Sequence, residues 1–337
     1  MTDTFRQAAG YPTAAQTGRQ WILRAAMSYG LALWAAAAAG CGNYSNEDLE
    51  FMNAIPARAE LAVDVPRQSS LTSADSAEGW QRAFQVTRDL NNVGDAFLSF
   101  FDQIRTNYPT ERDGNTRIWG PFPADEHPGW RIEFRMSKAN PAAPQFDYDL
   151  VMIPPPGVAL SSGGPATRII GGTTYAAGGV GMGAGHLVVT LQEARTAGLI
   201  LEGLEKLISL TIDYEARTWP RTVKMVFVNV PPVPPDSDAV TATYAYAGSE
   251  NGDGSMHFSW LSNSADGLVG SATFSIDSRW LGTGQGREDL SVVAGAGTGA
   301  TGLECWDKNF ASTYKYQSWA PAPAQPSGDS ATCISRL

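Results

Sequence analysis

The sequence predicts a mainly β protein with one long N-terminal helix, the helix embraced by a curved antiparallel meander sheet or half-barrel. Three observations predict it. After Gly114, apolar and polar residues alternate with a period of two, the mark of strands with one buried and one wet face. The breaks between these runs are turn-like: Pro154-Pro155-Pro156, residues 231–236 and Asn251-Gly252-Asp253-Gly254. They are too short for the crossover helices of a parallel sheet. Ahead of the alternation, one segment repeats its apolar residues at three- and four-residue steps.

That segment, residues 77–108, is the helix. Trp80, Phe84, Leu90, Val93, Phe97, Phe101, Ile104 and Tyr108 fall on one stripe. Ser76 or Asp75 can cap its start, and Pro109 ends it. Asn91-Asn92 and Gly94 weaken its middle and predict a kink there. So much aromatic surface requires a large partner, and the strands supply it. Trp130, Ile132, Phe134 and Met136 alternate with Arg131, Glu133 and Arg135. Phe146, Tyr148, Leu150 and Met152 alternate with Asp147 and Asp149. Ile208 to Tyr214, Val223 to Phe227, Val240 to Tyr246, Met256 to Trp260 and Phe274 to Trp280 repeat the pattern. The count comes to roughly nine to twelve strands, and a sheet that wide curls around its cover. Leu199, Leu204 and Leu207 are spaced for a second short helix over residues 192–207.

The organisation reads as three parts: residues 1–40 as a signal, 41–76 as a tether, and 77–337 as one helix-plus-sheet domain. The tether opens on the polar run from Asn43 to Asp48, and Leu49, Phe51, Met52 and Ile55 are spaced for one amphipathic turn before Pro56. A flexible chain of this length spans on the order of 35 Å; the alternative is that part of it docks on the domain.

Arg19 and Arg24 precede an apolar run from about Ala25 to Ala39 that closes on Gly40-Cys41-Gly42. A basic stretch, a short apolar core and small residues make a secretory signal. The run is shorter than the roughly 20 residues of a spanning helix. Ala38-Ala39-Gly40-Cys41 resembles the lipobox of bacterial lipoprotein precursors, with Ala38 where that family usually has leucine. The resemblance implies cleavage before Cys41 and lipidation of Cys41, hence an exported protein held at a membrane through its N-terminal lipid. Gly42 stands where the family's inner-membrane retention signal would place aspartate, which implies the outer membrane. The ordinary alternative is cleavage after Ala39 or Gly40 with Cys41 left free. The domain itself resembles carrier lipoproteins of the bacterial envelope in architecture alone. It is also similar to uncharacterised bacterial lipoproteins that share a Gly-Arg-acidic strand and a Glu-Cys-Trp-Asp segment, here Gly286-Arg287-Glu288-Asp289 and Glu304-Cys305-Trp306-Asp307. Neither likeness implies an activity.

The chain of 337 residues carries 24 basic and 34 acidic residues. Removing Arg6, Arg19, Arg24 and Asp3 with the signal leaves 21 against 33, a net charge of −12. This argues against nucleic acid as a partner, whose binding requires clustered Lys and Arg to neutralise phosphates. Besides Cys41 the only cysteines are Cys305 and Cys333. In an oxidising compartment they are expected to pair. A bridge closing about 28 residues contributes roughly 3–4 kcal/mol by chain entropy. A metal-binding or reactive thiol pair is the alternative.

No motif for chemistry survives scrutiny. The glycine cluster of Gly171-Gly172 and residues 178–185 leads into a strand, His186 to Thr190, where a phosphate loop would lead into a helix. Asn251-Gly252-Asp253-Gly254 lacks an acid at the twelfth position of a calcium loop and reads as a tight turn. Asp147 with Asp149, and Asp213 with Glu215, lie on wet faces and read as solvated carboxylates, not as a glycosidase pair. His127, His186 and His257 have no ligand spacing for zinc, and no Gly-x-Ser-x-Gly elbow occurs. Trp119, Trp130, Trp219, Trp306 and Trp319 lie near strand ends, where rings can stack on sugars or acyl chains but more often complete a core. No catalytic, cofactor-binding or metal residue is assigned. The expected role is a non-enzymatic structural or adaptor lipoprotein with an envelope protein as partner. The alternative is a carrier of lipid or another hydrophobic ligand in the concave face of the sheet, and a third reading is an enzyme acting on envelope polymers.

Overall fold

A computed structural model describes residues 45–67, 76–124, 127–140, 142–160, 163–176, 182–192, 195, 207–229, 240–262, 272–320 and 326–335. Residues 1–44, with Cys41, and most of the helix expected over 192–207 lie outside them.

Among the described residues fifteen strands form one antiparallel sheet in strict chain order. They are β1 (Glu111–Asp113), β2 (Thr116–Pro123), β3 (Arg131–Ser137), β4 (Gln145–Ile153), β5 (Thr167–Ala176), β6 (Gly183–Thr190), β7 (Leu207–Glu215) and β8 (Arg221–Asn229). The series continues with β9 (Val240–Gly248), β10 (Gly254–Ser262), β11 (Ala272–Trp280), β12 (Gly286–Gly295), β13 (Thr301–Trp306), β14 (Ser312–Gln317) and β15 (Ser327–Gly328). The order never returns on itself, so the sheet is open. The alternation sets its faces: Phe134, Met136, Phe146, Tyr148, Leu187, Leu210, Ile212, Met225, Met256, Phe258 and Ile276 are all buried on the inner side. The expected count of nine to twelve falls short because β1 is exposed throughout and β14 and β15 carry no apolar alternation.

Three α-helices that lie wholly within the described residues, α1 (Asn46–Ala54), α2 (Arg58–Leu61) and α3 (Glu78–Arg105), and a single 3₁₀ turn (Ser330–Thr332) accompany the sheet. Asn91 and Gly94 both lie within α3, and two details of the helix, its end and its cap, differ from expectation. Asn91 is drawn into tertiary structure, its amide accepting from Val63 N at 2.9 Å and donating to Val63 O at 2.7 Å. The helix ends three residues before Tyr108, since the Thr106 and Asn107 amides turn back to Gln103 O and Ile104 O. Its N-cap is Ala77, which offers no side-chain acceptor. Ser76 instead bridges to Ala311.

The segment expected as a tether over 41–76 docks on the domain across its described part. Phe51, Ala54, Ile55, Leu61, Val63 and Val65 are buried and belong to the same apolar cluster as the sheet and α3. Two buried carboxylates hold this stretch in place. Asp48 meets Arg117 at 2.7 Å and Arg112 at 3.0 Å. Burial pushes its carboxyl up, but hydrogen bonds from Arg117, Arg112 and the Ser45 backbone outweigh that and leave it below the ordinary value. Glu60 accepts from Ala57 N at 2.9 Å and from Gly183 N on β6 at 2.8 Å. Residues 46–66 are therefore a second cover beside α3, so the helix is not the sheet's sole partner. No helix among the described residues is long and apolar enough to cross a membrane.

Candidate functional site

Two polar constellations stand out, one sealed under α3 and one open on the wet face. The sealed one gathers residues from both segments singled out in the sequence. Glu288 on β12 and Glu304 on β13 face each other across the strand pair. Both point inward and both are buried. Glu304 accepts from Gly79 N, in the first turn of α3, at 2.7 Å. It supplies from a distant strand the cap that Ala77 cannot, at the helix end that favours negative charge. Glu288 receives Arg82 at 2.5 Å and the Ser278 hydroxyl at 3.1 Å. Burial raises the Glu288 carboxyl, Arg82 pulls it back, and the neighbouring Glu304 adds to the rise. Gly79 is required here because a Cβ would lie 3.0 Å from Glu288 Cβ and 3.1 Å from the Trp306 ring. Trp306 donates its indole N–H to Gly284 O at 3.1 Å. A carboxylate pair with a raised member matches the needs of acid–base chemistry. At 0% and 5% exposure, however, Glu288 and Glu304 meet no substrate, and they act as a clamp between helix and sheet.

Cys305 and Cys333 are joined in a disulfide, Cα to Cα 5.3 Å, which resolves the pairing against a metal or free-thiol site. Cys305 lies on the wet side of β13, and the bridge fixes residues 326–335 over that end of the sheet. There Arg287, paired to Asp289 at 2.7 Å, reaches Ile334 O.

The remaining sequence candidates scatter. Asp147 accepts from Thr173 Oγ1 at 3.1 Å, Asp149 pairs with Arg168 at 2.5 Å, and Glu215 pairs with Arg217. Asn251 to Gly254 form the β9–β10 turn, with Gly252 at φ +87° and the Asp253 carboxylate accepting from Gly282 N at 2.8 Å. Of the glycine cluster, Gly171 and Gly172 lie within β5 and Gly183 and Gly185 within β6, and residues 177–181 lie outside the described ones. Trp119, Trp130 and Trp306 are buried, while Trp319 packs on Phe274. Trp219 is 47% exposed, with the Arg221 guanidinium 4.6 Å from its ring centroid. His127 sits in the β2–β3 connection, where burial lowers its ring below the ordinary value.

The other two histidines belong to the open constellation. Cross-strand pairing aligns Thr173, His186, Asp213, Lys224 and Ala245 in one row from β5 to β9, and Ala245, His257, Asp277 and Asp289 continue it to β12. His186 Nδ1 lies 2.6 Å from Asp213, and His257 Nδ1 lies 2.9 Å from Asp277. Between these pairs, β7 to β11 enclose a trough of about 510 Å³ that runs beside Lys224, Ala245, Ala247, Ser255 and Arg279. A second hollow of about 400 Å³ continues over β4 to β6 beside Asp149, Arg168 and His186. Among the described residues no cluster of three or more His, Cys, Asp or Glu is placed to hold a metal ion.

Sequence reasoning missed both constellations. The in-facing position of Glu288, between buried Gly286 and Leu290, was a usable signal. The trough had none, because the sequence does not tell which strands set Lys224 and Arg279 along one hollow.

Protein-family profiles, curated proteins and solved structures yield no match to the chain.

Proposed function

We propose that the protein is a lipid-anchored envelope lipoprotein, acylated at Cys41 and exported to the outer membrane. In this reading it works as a non-enzymatic adaptor that offers the wet face of its sheet to a partner. The observation that carries the adaptor part is the packing of the inner face. Phe101 lies 5.5 Å from Phe134 and 5.8 Å from Tyr148, and Phe51 lies 5.0 Å from Phe146. Trp80 lies 4.7 Å from Phe310 at the other end of α3. Contacts this close occupy the space a hydrophobic cargo would need, so recognition falls to the other face. The anchoring part rests on the resemblance of Ala38-Ala39-Gly40-Cys41 to a lipobox, and two or three acyl chains suffice for stable attachment.

The test is metabolic labelling of the full chain with an alkyne fatty acid, beside Cys41→Ser. Label in the wild type and none in the variant is the expected result. A wild-type chain that takes up no label refutes the anchor.

A further inference from the structure

We propose that one end of the sheet, the end from which β2, β4, β6 and β8 start, lies on the surface of a lipid bilayer, with Tyr175, Met182 and Trp219 set into the headgroup layer. The proposal rests on acylation of Cys41 and states which way the anchored domain faces. Little chain is left to act as a tether. Residues 46–66 are packed on the domain. Ser45 Oγ accepts from Asp48 N at 3.0 Å, and the Asp48 carboxylate is held by Arg117 at 2.7 Å. Only the four steps from Cys41 to Ser45 remain, and fully extended they reach about 14 Å. Acyl chains on Cys41 therefore bring this point of the domain to the bilayer surface. A second folded domain, about 30 Å across, does not fit beneath it.

The topology says which part of the domain meets the lipid. In an antiparallel sheet that follows chain order, alternate turns share one end. The packed segment runs along that end. Glu50 meets Lys138, just after β3, at 2.6 Å. Glu60 accepts from Gly183 N at the start of β6 at 2.8 Å. Arg221 at the start of β8 donates to Ala59 O at 3.4 Å. Ser45 thus stands at the β2 side of a row of turns, and Trp219 at its β8 side. Six strand spacings separate them, at most about 29 Å along the sheet. The acyl anchor and Trp219 are two footings at opposite ends of one row, and two such footings hold the row against the bilayer.

The side chains at this end suit lipid. Of the seven exposed large apolar side chains among the described residues, four lie here: Leu49 on α1, Tyr175 at the end of β5, Met182 before β6 and Trp219 before β8. That concentration marks this end out from the rest of the surface. A cation accompanies each aromatic ring. The Arg217 guanidinium lies 5.7 Å from the Tyr175 centroid, and that of Arg221 lies 4.6 Å from the Trp219 centroid. Amphipathic rings beside long cationic side chains are the composition of a membrane interface, apolar at one end and wet at the other. Among the nearby acids, Glu47, Glu50 and Glu215 are each paired to a cation. Glu111, Asp113 and Glu250 stand to either side, on β1 and in the β9–β10 turn. The contact is therefore apolar at its centre and needs no anionic lipid.

Fluorescence quenching tests this. The acylated full chain, purified from the envelope, is inserted into phosphatidylcholine vesicles brominated high on their acyl chains, which quench only tryptophans that reach the bilayer. Part of the tryptophan emission is expected to be quenched. Trp219→Phe should lose most of that quenching. Trp319→Phe, at the opposite end of the sheet, should keep all of it. Quenching that Trp219→Phe leaves unchanged overturns the proposal, as does quenching that disappears in Trp319→Phe. A vesicle-bound chain with no quenching overturns it too, and leaves this end of the sheet to a protein partner. Fatty-acid labelling separates this failure from failure of the anchor. A chain that takes up label but is not quenched at Trp219 keeps its anchor and loses this orientation, and a chain that takes up no label loses both.

Discussion

Replacing Glu304 with alanine should loosen the start of α3 and destabilise the whole chain. The Gly79 amide would lose the acceptor 2.7 Å away. No side chain on Ala77 replaces it, and the site is too buried for water to take over freely. An unsatisfied buried donor is unfavourable by about 1–3 kcal/mol. Losing a negative charge from a helix N-terminus adds about 0.3–1 kcal/mol. Against this, removing Glu304 relieves its repulsion of Glu288, whose carboxyl is raised chiefly by burial and only secondarily by Glu304. The balance is a loss of about 2 kcal/mol. Glu304→Gln keeps a neutral acceptor and should lose roughly half as much. Urea unfolding followed by tryptophan fluorescence reads the global change, and hydrogen exchange of peptides covering 77–90 reads the local one. If Glu304→Ala unfolds at the wild-type midpoint with unchanged protection at the helix start, the trans-cap account fails. It fails equally if the glutamine variant is as weak as the alanine one.

Glu288 makes a prediction in pH. Its folded-state carboxyl is raised above the ordinary 4.5, so its contribution to stability is full below that value and is lost as pH rises through the raised one. Relative to wild type, Glu288→Gln should gain stability as pH is brought from about 4 to 8, and a difference that shrinks over this interval contradicts the assignment. Reducing the Cys305–Cys333 bond should release residues 326–335 to proteolysis before the sheet opens. It should also lower stability by roughly 3–4 kcal/mol, since the bridge closes 28 residues. Cleavage that begins elsewhere would show that the bridge does not hold this segment.

What the sequence made legible was whatever repeats at short range. Phe146, Tyr148, Leu150 and Met152 declare their face by alternation alone, and the stripe from Trp80 to Ile104 declares a helix. Contacts between distant residues were illegible. Phe51, Ile55, Leu61, Val63 and Val65 follow no single period, and their burial depends on Arg117 and Gly183 arriving from β2 and β6 to hold Asp48 and Glu60. Polar residues such as these read as solvated until their partners are known. The same holds for Glu304, whose role exists only because β13 passes the start of α3, and for the trough, which depends on the register of five strands.

The central claim is that the inner face is a packed core and that recognition belongs to the outer face. Native mass spectrometry of the full chain, purified from the envelope and stripped of its detergent in the gas phase, tests this most directly. The account predicts the mass of the acylated polypeptide less two hydrogens for the Cys305–Cys333 bond, with no further apolar adduct. A discrete additional mass of phospholipid or free acyl chain that survives activation would contradict it. It would place a ligand between sheet and helix, where the account puts Phe101, Phe134 and Tyr148.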